Sequence, residues 1–279
     1  MFIPDPDLVA HTDTAMRSWR QGDLALEERW FVHVGDSTRP LTVGTAHGSD
    51  EGVRAVVTGT DGLIVVSQTC DIQRTSRDRP FVEVAPLMRV EVEAFRSVTR
   101  GRRPRHVTLP CLEPGFLVAD LDRIQTVEKA VVAPWKRTPG CTSDADRRRL
   151  EHALVRKRAR VAFPDDFTAM VKKLLKRFED KHDRATEEGR ALRALREIRV
   201  HAQPSWDAPR VDVKLWFIRG SEDATFEGRD WSTLLNAWNA LVAPSGRFRS
   251  VHAKVVPLSL MSAEEYVSSD ILDLDHLSL

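Results

Sequence analysis

Short apolar runs separated by polar and turn-forming residues dominate the first half of the chain, at residues 24–34, 53–58, 62–67, 81–92 and 106–109. Gly, Pro, Asp and Ser punctuate these Val- and Ile-rich runs. The four consecutive apolar residues at 63–66 predict a strand buried on both faces, whereas alternation over 81–84 predicts a strand with one face in solvent. Short strands at close spacing without intervening helices favour a closed or nearly closed β-barrel over residues 1–135.

Helical periodicity replaces this pattern after Pro134. Residues 144–162 predict a helix with Leu150, Leu154 and Val161 on one face. Pro164, followed by Asp165 and Asp166, predicts the start of a second helix, because proline suits the first turn and acidic side chains suit the positive end of the helix dipole. A third, short helix fits residues 186–195. We therefore predict a basic helical connector over residues 136–197.

The last part of the chain alternates strand and helix signals. Apolar residues at every second position over 211–217 predict a strand. Asp230 is placed to cap a helix, residues 251–258 predict a further strand, and Ser262 and Glu265 have the spacing of a capping box. The sequence thus predicts an α+β protein of three parts: a β-barrel domain (residues 1–135), the connector (136–197) and a C-terminal α+β unit (198–279).

Charge is distributed unevenly along the 279 residues. The net charge is only +1, but residues 135–199 carry 19 Lys and Arg against 11 Asp and Glu, while the segments before and after this stretch are slightly acidic. A basic segment of this kind predicts an acidic partner such as nucleic acid. No apolar run approaches the length of a membrane span, and the N-terminus lacks the pattern of a signal peptide, so we expect a cytoplasmic protein without membrane contact.

Cofactor and metal chemistry find little support in the sequence. The odd number and wide spacing of Cys70, Cys111 and Cys141 argue against a disulfide framework. Together with His106 they form one conceivable zinc set, but no CxxC pair is present, and three unrelated thiols are the better interpretation. P-loop, GxGxxG, GxSxG and HExxH motifs are absent. We therefore expect no cofactor and no metal.

Four segments carry a family resemblance, in order along residues 18–135: Gln21-Gly22-Asp23-Leu24, Gly62–Ser67, Phe81–Leu87 and Val118–Lys129. They resemble the opening Gly-Asp strand, the central apolar strand ending in Ser, the next strand with its Ala-Pro-Leu end, and the late Val-Asp-Lys segment of the MazF/PemK-type toxins. The resemblance implies a small SH3-like barrel, a homodimer, and cleavage of single-stranded RNA without metal. Residues 136–279 have no counterpart in that compact family.

The chain departs from this family at two positions that matter for chemistry. Asp61 and Gly62 stand where the family has an Arg-Pro pair, and Met88 stands where it has a Thr. RNA cleavage needs a group that activates the 2′-hydroxyl and a cation that stabilises the charged transition state. The family's catalytic residues therefore do not carry over; Arg54, or Arg39 beside Pro40, is a substitute cation if its loop folds back.

The most unusual polar segment, Ser67-Gln68-Thr69-Cys70-Asp71, follows the predicted buried strand directly. Its side chains should lie at a sheet edge or barrel mouth, a common place for a site. We take Ser67, Thr69, Cys70 and Asp71 as candidate catalytic residues. In one interpretation Cys70 is a nucleophile with His106 as its base, and in another Asp71 orients a ligand. The alternative is structural: Ser67 and Thr69 bond local backbone, Asp71 caps a turn and Cys70 packs.

Arginines flank the predicted strands and provide candidate nucleic-acid contacts, because guanidinium groups bind phosphate in a bidentate manner. The candidates are Arg74, Arg77, Arg79, Arg100, Arg102, Arg103 and Arg105. The alternative is a set of solvated loops. Two further basic clusters, residues 147–149 and 156–158, favour a solvated helix face, since Asp144, Asp146 and Glu151 lie close by in the sequence.

Three functional hypotheses follow. The leading one is a module facing RNA or DNA, in a bacterial toxin-like or defence-associated protein, with metal-independent endoribonuclease activity implied by the resemblance. The alternative is a non-catalytic protein-interaction adaptor built on a degenerate barrel, with a partner protein encoded nearby. The third is a hydrolase that depends on Cys70.

Overall fold

The structure, a computed structural model, describes residues 5–47, 52–99, 103–159, 161–219, 225–227 and 229–272. The chain forms two compact units, Met1–Ala159 and Arg160–Leu279. Both units contain helices and strands, which confirms the predicted α+β class. Among the described residues, no helix has the length and apolar character needed to cross a bilayer.

The first unit is built mainly from short elements. Its helices are α1 (Pro6–Met16), α2 (Val43–Ala46), α3 (Thr69–Ile72), α4 (Val92–Thr99), α5 (Lys129–Val132) and α6 (Asp144–Arg158), with a 3₁₀ turn at Pro110–Gly115. Its strands are β1 (Leu24–Ala25), β2 (Trp30–Asp36), β3 (Val53–Gly59), β4 (Leu63–Val65), β5 (Phe81–Arg89), β6 (His106–Val107), β7 (Leu117–Asp120) and β8 (Gln125–Glu128).

The main sheet of the first unit has the strand order β1-β4-β5-β7-β6, and β8 also pairs with β5. All of these pairs are antiparallel. Strand β2 pairs with β3 in a separate two-stranded ribbon, so the apolar run at residues 24–34 is divided between two sheets. Among the described strands, no sheet closes on itself, which differs from the closed or nearly closed barrel that we expected.

Both faces of the main sheet are buried. Leu63 and Val65 pack with Trp19 and Trp135 in one cluster, while Ile64 lies in a second cluster on the opposite side. Helices α1 and α5 supply residues to the first cluster and α6 supplies Leu150 to the second. This two-sided burial confirms the prediction from the continuous apolar run, since alternate side chains of a strand point to opposite faces.

Helix α6 belongs to the first unit rather than to a separate connector. Leu150 is buried against the sheet. Basic side chains towards the end of the helix meet carboxylates of the same unit: Lys157 contacts Asp122, and Arg158 bonds both oxygens of Glu83 at 3.0 and 3.1 Å. The predicted connector, residues 136–197, is thus divided between the two units. The helix ends at Arg158, so Val161 is not part of it.

The second unit contains helices α7 (Asp165–His182), α8 (Glu187–Ala194), α9 (Trp231–Asn239) and α10 (Ala263–Val267). Its strands are β9 (Leu195–Gln203), β10 (Val211–Arg219), β11 (Thr225–Phe226), β12 (Arg229–Asp230), β13 (Phe248–Pro257) and β14 (Asp270–Ile271). The larger sheet has the order β13-β10-β9-β14, in which β10 and β13 run parallel and the other pairs are antiparallel. The connection between the two parallel strands contains α9.

Local sequence signals predicted much of the second unit correctly. Helix α7 begins after Pro164, carries Asp165 and Asp166 in its first turn, and buries its apolar stripe against the sheet. Asp230 caps α9 by accepting from the backbone N–H of Ser232 at 2.9 Å. Ser262 forms the expected capping box at the start of α10. The core therefore lies between the helices and one face of the sheet.

Candidate functional site

A hydrogen-bonded cap fixes the start of α6, the most basic element of the first unit. The Ser143 hydroxyl accepts from the backbone N–H of Asp146 at 3.1 Å, and the Asp146 carboxylate accepts from the backbone N–H groups of Ser143 and Thr142 at 2.9 and 3.0 Å. The hydrogen bond with the Ser143 side chain is the main reason why the pKa of Asp146 is lowered. The first turn of the helix is therefore held firmly, together with the basic residues that follow it.

A cavity of about 440 Å³ lies between α6, the end of α4 and the segment at residues 103–108. We call it the basic cleft. It is lined by Val98, Thr99, Arg103, Pro104, His106, Val107, Thr108, Ala145, Arg148, Arg149, His152, Ala153 and Arg156. Four of these residues are arginines, two are histidines and none is acidic. The α6 residues share a face because Arg148, His152 and Arg156 follow one another at intervals of four.

The arginines of the basic cleft differ in how far they are neutralised. Arg149 lies 3.6 Å from a carboxylate oxygen of Glu113. Arg103 and Arg148 form no salt bridge within the part of the chain that the structure describes. Positive charge that is not paired at short range, in a concave site, raises the local concentration of anions. The cleft is therefore electrostatically suited to an anionic ligand.

His106 is the most deeply buried ionisable side chain of the cleft, with about 7% of its surface exposed. It lies on β6 opposite Asp120 of β7. Burial lowers its pKa, an effect that Asp120 opposes and that Arg105, Arg103 and Arg123 reinforce. Within the described residues its Nδ1 has no hydrogen-bond partner. The imidazole is therefore neutral at pH 7, with one ring nitrogen able to donate and the other able to accept a proton.

The predicted catalytic hydroxyls lie together at the end of β4, but both contact backbone. Ser67 Oγ accepts from the N–H of Glu83 at 2.7 Å. Thr69 Oγ1 accepts from the N–H of Gln21 at 3.1 Å. Both hydroxyls thus bond backbone, as in the structural alternative, but the partners are distant in sequence and not the local backbone that the alternative named.

Cys70 and Asp71 lie at the start of α3. The Cys70 thiol is exposed and its Sγ lies 3.6 Å from Gln68 Oε1. No hydrogen bond joins this thiol to His106. His106 lines the basic cleft, whereas Cys70 is not among the residues that line it. Asp71 Oδ1 lies 3.9 Å from Arg74 Nε. The described structure thus lacks the nucleophile–base contact that a Cys70-dependent hydrolase needs.

A buried lysine holds the segment that follows β4. Lys129 is completely buried, and its Nζ donates to the carbonyl oxygens of Asp71 at 2.9 Å and Arg74 at 2.7 Å. Burial lowers the pKa of this ammonium group. Nearby, Asp13 Oδ1 accepts from the backbone N–H and hydroxyl of Ser76 at 2.7 and 2.6 Å. We call residues 69–80 the anchored loop, because interior side chains fix its backbone while most of its side chains remain exposed.

The predicted nucleic-acid-binding arginines fall into two groups. Arg74, Arg77 and Arg79 are exposed on the anchored loop. Arg103 lines the basic cleft, and Arg105 is exposed two residues further on. The remaining two, Arg100 and Arg102, lie outside the described residues.

Sequence reasoning missed the contribution of α6 to the cleft. Arg148, Arg149 and Arg156 were interpreted as part of a solvated helix face, and no role was assigned to His152. The signal was present in the spacing of residues 148, 152 and 156, which places them on one side of a helix. What the spacing could not reveal is that this side meets the segment at residues 103–108.

The cysteines do not assemble a metal centre. Among the described residues, no group of three or more His, Cys, Asp and Glu side chains is arranged to hold a metal ion. Cys111 Sγ lies 3.4 Å from the carbonyl oxygen of Gly140. Burial raises the pKa of Cys141 to about 11, which keeps its thiol protonated at neutral pH.

Comparison with known proteins gives no relative from which a function could be transferred, since no protein-family model matches the chain and no curated protein matches it significantly. The function must therefore be argued from the geometry of the site itself.

Proposed function

We propose that the first unit binds nucleic acid, with RNA as its main ligand, through the basic cleft. One observation carries this proposal: four arginines and two histidines from separate segments line one cavity that has no acidic residue in its lining. Guanidinium groups form bidentate hydrogen bonds with phosphate, and phosphate contacts supply most of the affinity of sequence-independent nucleic-acid binding.

Backbone contacts rather than base stacking are expected to dominate this binding. Single-strand binders often stack bases on exposed aromatic side chains. In the first unit, Trp19 and Trp135 are buried, and the Trp30 indole donates to Glu28 at 2.7 Å. None of the residues that line the basic cleft is Trp, Tyr or Phe, so the cleft itself offers no such ring for base stacking. The ligand preference should follow phosphate charge and strand flexibility more than sequence.

The MazF/PemK-like barrel remains our proposal for the fold family of this unit, and with it a toxin-like or defence-associated role in the cytoplasm. The segments that carry the resemblance fall on β1, β4, β5, β7 and β8, which belong to one sheet. This coincidence supports the proposal, whereas the open sheet and the unmatched positions Asp61, Gly62 and Met88 weigh against it.

Metal-independent RNA cleavage is a second candidate function, and the observation that favours it is that His106 lines the basic cleft together with four arginines. In such a reaction the 2′-hydroxyl attacks the adjacent phosphorus and the bond to the 5′-oxygen breaks, giving a 2′,3′-cyclic phosphate and a 5′-hydroxyl. His106 would accept the proton of the 2′-hydroxyl, and the 5′-oxygen would be protonated by a general acid. Arginines would stabilise the negative charge of the transition state.

A protein-interaction adaptor is the alternative, and the β2–β3 ribbon favours it. Val34, Val53 and Val57 on this ribbon are 74%, 73% and 68% exposed. Exposed apolar side chains grouped on one element often mark a protein-binding surface. A stable complex with a partner protein, together with no affinity for any nucleic acid, would favour this function over the first.

Salt-dependent binding tests the main proposal. We expect the full-length protein to bind single-stranded RNA with an affinity that falls steeply with salt, and Arg148→Gln to reduce the slope of log affinity against log salt by about 0.7. Arg147→Gln is the matched control, because Arg147 lies next to it on α6, contacts Asp144 and does not line the cleft. Incubation of the protein with RNA in EDTA, followed by gel analysis, detects metal-independent cleavage of the RNA. Absence of binding to RNA and DNA at low salt would refute the proposal.

A further inference from the structure

The shape and charge of the basic cleft indicate which part of a nucleic acid it binds. Three segments border the cleft: the end of α4 at Val98 and Thr99, the segment at residues 103–108, and one face of α6. Its volume of about 440 Å³ lies at the lower end of the range of about 300–1,000 Å³ for pockets that enclose small ligands. A site of this size can hold one nucleotide.

The charge of the cleft exceeds what one internal phosphate requires. A phosphodiester carries one negative charge, whereas a terminal phosphate monoester carries about 1.5–2 negative charges at pH 7 and offers three terminal oxygens. Arg103 and Arg148 approach from different segments, and neither has an acidic partner among the described residues. Several guanidinium groups can bind one monoester at the same time, because each can bond two of its oxygens.

His106 adds an independent observation at the same place. Its side chain is more than nine-tenths buried, lines the cleft and, within the described residues, leaves Nδ1 without a hydrogen-bond partner. An unsatisfied buried polar atom destabilises a fold unless a ligand or a water meets it. A ligand that brings a hydrogen-bonding group to Nδ1 would remove this cost.

We infer that the basic cleft recognises the terminal phosphate monoester of a nucleotide, at the end of an RNA strand or on a free mononucleotide, and that strand binding in the cleft begins at this end. The strand-end part of the inference rests on the proposed function. The monoester contacts Arg103 and Arg148, which line the cleft from different segments of the chain, and the buried His106 lines the same cleft.

Fluorescence anisotropy with one short RNA sequence tests this inference on the full-length protein. The RNA carries an internal label and is prepared with a 5′-phosphate, with a 3′-phosphate, or with hydroxyl groups at both ends. We expect one phosphorylated form to bind about tenfold more tightly than the hydroxyl form. Adenosine 5′-monophosphate should compete with that form, and adenosine should not.

Two variants test whether the preference for a phosphorylated end arises in the basic cleft. Arg148→Gln should remove most of the preference for the phosphorylated end, whereas Arg147→Gln should retain it. Arg147 and Arg148 are neighbours on α6. Circular dichroism of both variants checks that each is folded. A preference that survives Arg148→Gln would overturn the assignment to the cleft.

The remaining outcomes separate the two proposals. Equal affinity for all three RNA forms, without competition by adenosine 5′-monophosphate, overturns the inference and leaves the proposed function standing. Calorimetry measures direct binding of adenosine 5′-monophosphate in the absence of RNA. If the mononucleotide binds and no RNA form does, the proposed function is refuted, and the monoester site is supported for a free nucleotide.

Discussion

Replacing Lys129 with methionine removes a buried ammonium group while keeping most of the volume of the side chain. In the native protein, Nζ donates to the carbonyl oxygens of Asp71 and Arg74 at 2.9 and 2.7 Å. Lys129→Met leaves both carbonyl oxygens without this donor, one within α3 and one just after it in the anchored loop. The expected consequence is a destabilised first unit with a more mobile anchored loop.

The magnitude follows from opposing contributions. Each hydrogen bond from a charged donor stabilises a fold by about 1.5–3 kcal/mol. Removal of the charge also relieves the free-energy cost of burying it, which offsets part of the loss. We expect a net loss of about 2–4 kcal/mol, which corresponds to a fall in Tm of roughly 5–15 °C for a unit of this size.

Thermal denaturation followed by circular dichroism measures the change in Tm, and limited trypsin digestion measures the local effect. The anchored loop contains the trypsin sites Arg74 and Arg77, whereas Arg79 precedes Pro80 and is not cleaved. Cleavage at the first two sites should accelerate in Lys129→Met. Lys136→Met is the matched control: Lys136 is exposed, pairs with Glu27 at the surface, and should leave both measurements unchanged. An unchanged Tm with unchanged trypsin protection would refute the argument that Lys129 holds the loop.

Three further predictions concern the stability of the first unit and the extent of its nucleic-acid interface. Gly140→Ala should destabilise the first unit by roughly 2 kcal/mol or more in urea denaturation, because its Cβ would lie 2.0 Å from the carbonyl oxygen of Gly22; Gly59→Ala, with nothing within 4 Å, is the control. Asp146→Asn should lower stability at pH 7. The pKa of Asp146 is lowered from 3.8, mainly by its hydrogen bond with Ser143, so its contribution to stability is fully present above 3.8. In acid denaturation the difference between the two proteins should shrink as pH falls below 3.8 and disappear below the lowered pKa of the folded state. If the anchored loop also contacts phosphates, the double variant R77A/R79A should reduce the slope of log RNA affinity against log salt by about 1.4, and an unchanged slope would exclude the loop from the interface.

The elements that were predicted correctly have local causes. The start of α7 depends on a proline and two acidic residues in one turn, and the start of α10 depends on a capping box within four residues. The two-sided burial of β4 follows from four consecutive apolar residues. In each case the physical cause lies within one short segment, so it is visible before the chain is folded.

The basic cleft has a different origin. Arg103 and Arg148 are far apart in sequence and line one cavity only because Leu150 packs α6 against the sheet. A charge pattern shows which side of a helix is basic, but not which segment that side meets. The same reason explains why the hydroxyls of Ser67 and Thr69 were candidates for chemistry: their acceptor contacts with Glu83 and Gln21 depend on tertiary packing.

The packing of α6 has a consequence for how the protein folds during synthesis. One face of the β-sheet remains incompletely covered until residues 144–158 have left the ribosome, since α6 supplies Leu150 to the cluster on that face. A nascent chain that stops shortly after residue 135 would therefore expose Ile64 and its neighbours to chaperones. Once Ala159 has emerged, the first unit has all its parts, and it can complete its fold while the following 120 residues are still being translated.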